Sequence, residues 1–306
     1  MLLEQVLHYL APRNGNELLI DATVGEGGHS YAFLTRFPDL SVVGVDADPV
    51  IQAVARERLA EFGGRMRFFT GWSQDFFADY PADIERPDTV LIDLGVSLFH
   101  YEKSGRGFSF STAEKLDMRI DTSTGFSAAE IIAQRPEKEI ADIIYKNAGE
   151  RYSRRIAKAI VQERQKGAIS TAAALSELVK RAVPASYRHG SIHPATKTMM
   201  ALRIEANREL ERLPELLEGA LRILKTGGRL GVISFHSLED RVVKHFFKTK
   251  NKACNCPPQQ AVCNCAGSRS VNILTPKGVT ADEDEIKRNP PSRSARLRVA
   301  EKIGAQ

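Results

Sequence analysis

Cysteine is scarce in this sequence, and all four cysteines lie in one short segment as two Cys-x-Cys pairs. The pairs are Cys254 with Cys256 and Cys263 with Cys265. A secreted domain that depends on disulfides spreads its cysteines along the chain, so this pattern argues against that class and predicts a cytoplasmic location. Paired thiols could hold a tetrahedral zinc ion, although Cys-x-Cys is a weaker metal signal than Cys-x-x-Cys. A zinc site and a reduced surface loop both stay open for this segment, and no metal is predicted at a catalytic site.

Long apolar runs are also missing. The best candidate, residues 89–99, is interrupted by Asp93 and is shorter than the roughly 20 residues that a membrane helix needs. Residues 1–10 carry apolar side chains at helical spacing without a basic leader, so they predict a surface helix rather than a signal peptide. No membrane partner is therefore predicted. With 42% apolar and 26% charged residues, the composition excludes a disordered chain or a rod and favours a folded soluble protein.

The charge imbalance is small, with 43 Lys and Arg against 38 Asp and Glu, a net charge of +5. Such a balance permits a polyanionic partner without requiring one. The cations are densest in residues 151–166, where six basic residues accompany one acid and an apolar stripe predicts a helix. Arg154, Arg155 and Lys158 on its outer face are candidate substrate contacts, and a merely solvated face is the alternative.

The distribution of apolar residues predicts an α/β sheet. A length of 306 residues suits one large domain or a domain that carries an insertion. Short apolar runs alternate with helical patterns early in the chain, which is typical of a parallel sheet. The predicted strands are 18–22, 41–45, 67–70 and 89–94, followed much later by 229–235, 271–274 and 297–300.

Between the early and late strands, residues 125–185 show helical patterns only. We therefore predict an α/β fold interrupted by an all-helical insert. Its parts are 1–110, 111–195 and 196–306, with the insert in the middle. After the insert, residues 205–224 predict one long helix that either continues through or breaks at Pro214.

A glycine-rich loop follows the first predicted strand. Gly25, Gly27 and Gly28 allow a tight turn into a helix and a close approach of backbone to a ligand. An acid at the end of the second strand, Asp46, suits the two ribose hydroxyls of an adenosine-type ligand. Asp48 precedes Pro49 and caps the next helix, which leaves Asp46 for the ribose. NAD and S-adenosylmethionine both fit this pattern.

The last early strand ends in Asp93, followed by Gly95 and Ser97. Open α/β sheets build their sites at the carboxyl ends of strands, so this carboxylate and this hydroxyl are candidate catalytic residues. A carboxylate and a hydroxyl at this position are better suited to holding a methyl acceptor next to a methyl donor than to hydride transfer. Local capping of a turn is the alternative role for both side chains.

Aromatic and basic residues are mixed shortly after this block. Phe108, Phe110 and Tyr101 lie among Lys103 and Arg106, a combination typical of RNA recognition by stacking and phosphate contacts. Arg106 and Phe108 are therefore candidate substrate-binding residues, with core aromatics beneath a loop as the alternative.

Several long sequence blocks occur together and in one order. They are Asp21-Ala-Thr-Val-Gly-Glu-Gly-Gly-His-Ser, Asp93-Leu-Gly-Val-Ser, Arg106-Gly-Phe-Ser-Phe, Leu116-Asp-Met-Arg, His193-Pro-Ala-Thr, Ala201-Leu-Arg-Ile, Ser234-Phe-His-Ser-Leu-Glu-Asp-Arg and Ser294-Ala-Arg-Leu-Arg. Through these blocks the chain resembles, nearly end to end, the bacterial RsmH/MraW family of S-adenosylmethionine-dependent 16S ribosomal RNA cytosine-N4 methyltransferases.

The resemblance implies a Rossmann-like class I methyltransferase fold with an inserted helical domain and S-adenosylmethionine as methyl donor. The donor-binding residues that it implies are Gly27, Gly28, His29, Asp46, Trp72, Asp93 and His100. At the last position the family more often has glutamine, so this chain departs from the family there. The implied substrate is cytidine 1402, in the usual rRNA numbering, of 16S ribosomal RNA within the small subunit; a homodimer is allowed.

The chemistry of the residues agrees with attack by a nitrogen atom. Methylation at cytosine C5 needs a cysteine thiolate that adds to the ring, and the cysteines lie outside the Asp93 block. Transfer to N4 needs no covalent nucleophile, only alignment and exclusion of water. Two alternatives stay open at this point: a nicotinamide-dependent oxidoreductase, and a non-catalytic RNA-binding assembly factor that retains a donor pocket.

Overall fold

The computed structural model describes residues 1–110, 113–190, 192–253, 260 and 269–304. The chain forms two compact units. The sheet unit comprises Met1–Gly95 and Arg212–Gln306, and the helical unit comprises Val96–Glu211. Among the helices described, none has both the length and the apolar character needed to cross a membrane.

The strands of the sheet unit follow the apolar runs of the sequence. They are β1 Leu18–Asp21, β2 Ser41–Asp46, β3 Met66–Thr70, β4 Thr89–Asp93, β5 Arg229–Ser234, β6 Val271–Ile273, β7 Val279–Thr280 and β8 Arg296–Lys302. The sheet has the order β3-β2-β1-β4-β5-β8-β6, with β7 beside β8. Strands β1 to β5 are parallel, whereas β8 runs antiparallel to β5. This topology confirms the predicted Rossmann-like α/β sheet.

The helices complete both units. In chain order they are α1 Leu3–Leu10, α2 Gly28–Arg36, α3 Pro49–Arg58, α4 Ser73–Ala78, α5 Leu98–Glu102, α6 Ala128–Gln134, α7 Glu137–Ala148, α8 Ser153–Arg164, α9 Ala172–Ala182, α10 Ala185–Arg188, α11 Thr196–Asn207, α12 Glu209–Ile223, α13 Ser237–Lys250 and α14 Glu283–Arg288. Short 3-10 segments lie at Ala60–Arg65 and Pro290–Ser294.

Apolar side chains of the central strands are buried on both faces of the sheet. Because strand side chains alternate, Ile20 joins one core cluster with Phe77 and Phe247, while Leu19 joins the other with Phe33. Continuous apolar runs are typical of parallel strands that are covered on both sides. Helix α1, expected on the surface, adds Leu10 and other side chains to the second cluster and so packs one face into the core.

The helical unit has a core of its own, and α8 shows how its sequence is sorted. Ile156 and Ile160 are fully buried in that core. Arg154, Arg155 and Lys158 point away from it and are exposed. The amphipathic pattern of the sequence therefore predicted both faces of this helix correctly.

The helical unit is longer than the predicted insert, 111–195, at both ends. Before the insert, the loop at Arg106 is bound to it, because the Met118 amide donates to the Arg106 carbonyl at 2.8 Å. After the insert, α11 belongs to it, because the Asn207 side chain donates to the Met118 carbonyl at 2.7 Å. Composition alone does not show these hydrogen bonds.

The predicted helix at 205–224 is wrong at its start, whereas its continuation through Pro214, one of the two alternatives, is confirmed. Helix α11 ends at Asn207, Arg208 adopts a left-handed conformation with φ of 52°, and α12 begins at Glu209. The buried Asn207 amide fixes this corner, since its oxygen also accepts from the Ile120 amide at 2.7 Å. Helix α12 then runs through Pro214 without a break.

Candidate functional site

The glycine loop joins β1 to the start of α2. Gly25 and Gly27 have φ angles of 52° and 78°, in the left-handed region that favours glycine. A Cβ on Gly27 would lie 2.8 Å from a methyl carbon of Leu59, so even alanine does not fit there without movement. Gly28 is exposed at the first turn of α2. The loop therefore presents backbone rather than side chains at this edge of the sheet.

Asp46 ends β2 and holds the loop in place. One carboxylate oxygen accepts from the Gly25 amide at 2.8 Å, and the other accepts from the Asp48 amide at 2.9 Å. Asp48 caps α3 as predicted, because its side chain accepts from the Val50 amide at 3.0 Å. Asp46 also ties β2 to the glycine loop, so the predicted ribose contact would be additional to these two hydrogen bonds.

Trp72 lies close to Asp46 at the same edge. It follows β3 by two residues, and the Gly71 amide between them donates to the Asp46 carbonyl at 2.8 Å. The Arg212 guanidinium carbon lies 3.8 Å from the centroid of the indole ring. Asp46 and Trp72 thus occupy neighbouring positions that suit the ribose and the base of an adenosine-type ligand.

Asp93 ends β4 beside the glycine loop. Its amide donates to the Thr23 hydroxyl at 2.7 Å, which ties β4 to the end of β1. One carboxylate oxygen, Oδ2, lies 3.8 Å from Nδ1 of His29. The other, Oδ1, is buried and has no hydrogen-bond partner among the described residues. A buried acceptor without a partner is costly, so Oδ1 marks a place where a ligand can donate.

Burial changes the proton affinity of the groups around Asp93. Burial raises the pKa of Asp93, the positive charge of the amino terminus opposes this, and the carboxylates of Asp21 and Glu239 add to the rise, so that the pKa of Asp93 is about 7. Burial likewise raises the pKa of Asp21 to about 6, although the Ser30 hydroxyl, which donates to Asp21 at 2.7 Å, opposes this. Burial lowers the pKa of His29 to about 4, so His29 is neutral at pH 7 and forms no ion pair with Asp93.

These features together fit a cationic, adenosine-containing ligand. The glycine loop offers backbone, Asp46 and Trp72 suit the nucleoside, and Asp93 supplies an unsatisfied buried oxygen. Three carboxyl groups that repel one another favour a positively charged group among them. The residues present therefore fit S-adenosylmethionine, which carries a positive charge on sulfur.

Ser97 and His100 lie in the helical unit, where they cap α5. The Ser97 amide donates to Nδ1 of His100 at 3.2 Å, and the Ser97 hydroxyl lies 3.1 Å from the same nitrogen. His100 is 4% exposed and packs against Phe108 with 5.1 Å between ring centroids. The structure thus gives both residues a local helix-capping contact, the alternative role that the sequence left open for Ser97.

Arg106 and Phe108 also have structural contacts in the helical unit. The Arg106 guanidinium donates to the carbonyls of Arg119 and Ile120 at 3.0 and 2.7 Å. Phe108 is 5% exposed and belongs to the core of this unit. These contacts favour the core alternative over direct stacking of Phe108 on a base.

The exposed cations of α8 differ from others in the same unit. Within the described part of the chain, no carboxylate pairs with Arg154, Arg155 or Lys158. Other exposed cations of the unit do have acidic partners: Arg135 with Glu139, Lys166 with Glu163, and Lys180 with Glu177.

The helical unit holds 19 Lys and Arg against 14 Asp and Glu, whereas the sheet unit holds 24 of each. The whole net charge of +5 therefore resides in the helical unit.

The site residues predicted from the sequence form two groups, one in each unit. Gly27, Gly28, His29, Asp46, Trp72 and Asp93 lie at one edge of the sheet, whereas Ser97, His100, Arg106, Phe108, Arg154, Arg155 and Lys158 belong to the helical unit. Sequence reasoning missed Asp21, Glu239 and Arg212. Asp21 could have been found as the acid that ends the first apolar run, but nothing local signals the burial of Glu239 or the position of Arg212. The four cysteines lie outside the described residues.

The raised pKa of Asp93 predicts a pH dependence of stability. The folded protein holds the Asp93 proton up to about pH 7, whereas an unfolded chain loses it near 3.8, so the stability that this proton confers is lost as pH rises between those values. Asp93→Asn should reduce this loss by about 2 to 3 kcal/mol between pH 5 and pH 8. Urea unfolding of the donor-free protein at both pH values measures it. Asp75→Asn, at an exposed position on α4, is the control and should behave like the unmodified protein.

Known proteins resemble this chain over nearly its whole length. The family model described as MraW methylase family matches residues 1–303. Ribosomal RNA small subunit methyltransferase H of Treponema denticola is 54% identical over 303 residues, covering 99% of this chain and 96% of the relative. The protein of the same name from Syntrophobacter fumaroxidans is 44% identical over 310 residues, with 99% and 96% covered.

Proposed function

The chain belongs to the MraW methylase family and is a methyltransferase that uses S-adenosylmethionine, and from this premise we propose that it methylates the exocyclic N4 of a cytidine in 16S ribosomal RNA. The finer proposal is cytidine 1402, within the small ribosomal subunit. The names of the relatives, which specify small-subunit ribosomal RNA, support this substrate. The proposed compartment is the cytoplasm. Family membership disagrees with both alternatives, the nicotinamide oxidoreductase and the non-catalytic assembly factor.

The observation that carries the N4 proposal is the unpartnered Oδ1 of Asp93. The lone pair of the cytosine amino group is delocalised into the ring, so the nitrogen attacks poorly while the group stays planar. An acceptor that holds an N4 hydrogen turns the lone pair out of the ring plane. Asp93 can do this at the end of β4, with the Leu94 to Val96 backbone carbonyls as further acceptors. The donor, when bound, supplies an electrophilic methyl group on a sulfonium.

Asp93 accepts this hydrogen most strongly as an ionised carboxylate. In the donor-free protein its pKa of about 7 leaves a large fraction protonated near neutral pH. A positive charge nearby favours the carboxylate and lowers the pKa. The same carboxylate stabilises the positive charge that develops on N4 as its bond to carbon forms.

Transfer to cytosine C5 has less support at this site. It needs a thiolate that adds to the ring, and no cysteine occurs in the segments that form this edge, residues 21–30, 44–48, 70–75 and 91–97. The N4 route needs only placement and a hydrogen-bond acceptor, both of which the described residues supply.

We place the donor along the edge of the sheet unit. The backbone at Gly27 and Gly28 lets it approach closely, Asp46 accepts from the ribose hydroxyls, and Trp72 lies beside the adenine. His29, neutral and partly buried, forms the wall next to Asp93. His100 remains a proposed donor contact on the resemblance alone, since its described contacts are those of a helix cap.

The chemical identity of the methylated nucleoside distinguishes N4 of cytosine from the other possible acceptor atoms. The protein is incubated with labelled S-adenosylmethionine and either naked 16S ribosomal RNA or isolated small subunits, and the nucleosides are identified by mass spectrometry. We expect N4-methylcytidine at position 1402. C5-methylcytidine, or label on another base, would refute the N4 assignment, and no transfer to either form of the RNA would refute this substrate.

The unpaired cations of α8 predict a salt-dependent RNA affinity. Replacing Arg154, Arg155 and Lys158 with Ala should weaken RNA binding and leave donor affinity unchanged. Counterion release makes log K fall with log salt by about 0.7 to 0.9 per phosphate contact, so three lost contacts flatten the slope by about two to three. Filter binding of the small subunit at several salt concentrations measures this slope.

The matched control removes three cations that already have partners, by replacing Arg135, Lys166 and Lys180 with Ala. This control changes the net charge by the same amount, but most of the slope of log K against log salt should remain. Equal slopes in the α8 triple variant and the unmodified protein would contradict the phosphate contacts.

A further inference from the structure

Trp72 is the one tryptophan of the chain, and its indole ring carries the closest cation–π contact in the part of the chain that the structure describes. The Arg212 guanidinium carbon lies 3.8 Å from the ring centroid. The other such contacts in the described residues lie between 4.5 and 5.9 Å, as with Arg56 over Phe68 at 4.5 Å. At 3.8 Å the guanidinium stacks directly on the ring and covers one face of it.

The indole ring of Trp72 is held by no hydrogen bond in the described residues. Its Nε1 is buried and has no hydrogen-bond partner in the described residues, so no hydrogen bond fixes the ring plane. The backbone is fixed, because the Trp72 carbonyl accepts from the amides of Asp75 and Phe76 at 3.1 Å as α4 begins. Only the side-chain torsions of Trp72 remain to be set, and Arg212 is the group that stacks on the ring.

We propose that Arg212 is a positioning residue of the donor site, which holds the Trp72 ring so that its other face receives the donor's purine. Both side chains are partly buried, where a cation–π contact is stronger than at a fully exposed position. This inference rests on the proposed place of Trp72 beside the donor. It assigns a role to a residue of α12, which lies far from the glycine loop and from Asp46 in the sequence.

Arg212 lies where the chain passes from the helical unit to the sheet unit. Helix α12 begins at Glu209 in the helical unit, and Arg212 is the residue at which the chain re-enters the sheet unit. The cation that orders the donor site therefore lies in the first turn of the helix that links the two units along the chain.

The test uses Arg212→Met, which keeps the length of the side chain but removes its charge, and Arg212→Lys, which keeps the charge. Donor affinity is measured by calorimetry, and Trp72 emission is followed with and without donor. For Arg212→Met we expect donor Kd and KM to rise about 5- to 20-fold, while kcat at saturating donor changes less than twofold. Emission should shift in the donor-free variant, and Arg212→Lys should recover most of the affinity.

Arg67→Met is the matched control, since Arg67 belongs to the same unit and lies over Phe69 at 5.7 Å. It should leave donor affinity and Trp72 emission unchanged. Unchanged donor affinity in Arg212→Met, or a loss of kcat without a change in KM, would overturn the positioning role. If Arg212→Met does not fold, Arg212→Lys decides by whether it retains donor affinity.

Two further outcomes separate this inference from its premises. If donor binding leaves Trp72 emission unchanged in the unmodified protein, Trp72 is not beside the donor and the inference fails with that placement. If instead the labelled nucleoside is not N4-methylcytidine, the acceptor proposal fails while the donor affinities of these variants still decide the role of Arg212.

Discussion

Asp93→Asn is expected to lower kcat by about 10²- to 10³-fold while changing the apparent KM for RNA by less than about threefold. The amide keeps the shape of the carboxylate but carries no negative charge, so it stabilises the charge developing on N4 far less. Single-turnover transfer of labelled methyl groups to small subunits measures the loss. The donor must be saturating, because Asp93 also lies at the donor-binding edge.

The stability measurements supply the control for this variant. Asp93→Asn should be folded and, at pH 8, at least as stable as the unmodified protein, so a loss of turnover reflects the chemistry. Ser97→Ala should also lower kcat more than it raises KM, but by less, because its hydroxyl contacts His100 in the α5 cap. Near-normal turnover in both variants would contradict a catalytic role for this block.

Asp46→Ala is expected to weaken donor binding by about 1.5 to 3 kcal/mol, a factor of about 10 to 150. The variant loses an acceptor for the ribose hydroxyls, and it also releases the Gly25 amide that Asp46 holds at 2.8 Å. Calorimetry measures the affinity, and hydrogen exchange at the Gly25 amide should speed up in the same variant.

Asp48→Ala is the appropriate comparison for Asp46→Ala. It removes the cap of α3, at a cost of about 1 kcal/mol in stability, without removing a proposed donor contact. Donor affinity should therefore fall much less than in Asp46→Ala. A folded Asp46→Ala variant that binds donor normally would remove Asp46 from the site.

The sequence predicted those features that depend on local patterns. Apolar runs placed the parallel strands within one or two residues, and acids at the ends of these runs located Asp46 and Asp93, because parallel strands bring their carboxyl ends to one edge. The amphipathic pattern of α8 gave its buried and exposed faces. The family resemblance added Trp72, which no periodicity identifies.

Features that depend on distant contacts could not be predicted in this way. Strand β7 has two residues, too few for a pattern, and exists through its pairing with β8. The corner at Arg208 depends on the buried Asn207 amide bound to the 118–120 backbone. Burial of Phe108 and stacking of Arg212 on Trp72 likewise follow from tertiary packing rather than from neighbours in the sequence.

The division of charge between the units has a consequence for how the protein meets its substrate. The sheet unit is electrically balanced, and the helical unit carries the entire surplus of +5. A polyanion therefore attracts the helical unit over a longer range than the sheet unit, which speeds those encounters that the helical unit makes. Raising the ionic strength should then slow association with RNA by screening this attraction, while loading of the methyl donor stays almost indifferent to salt.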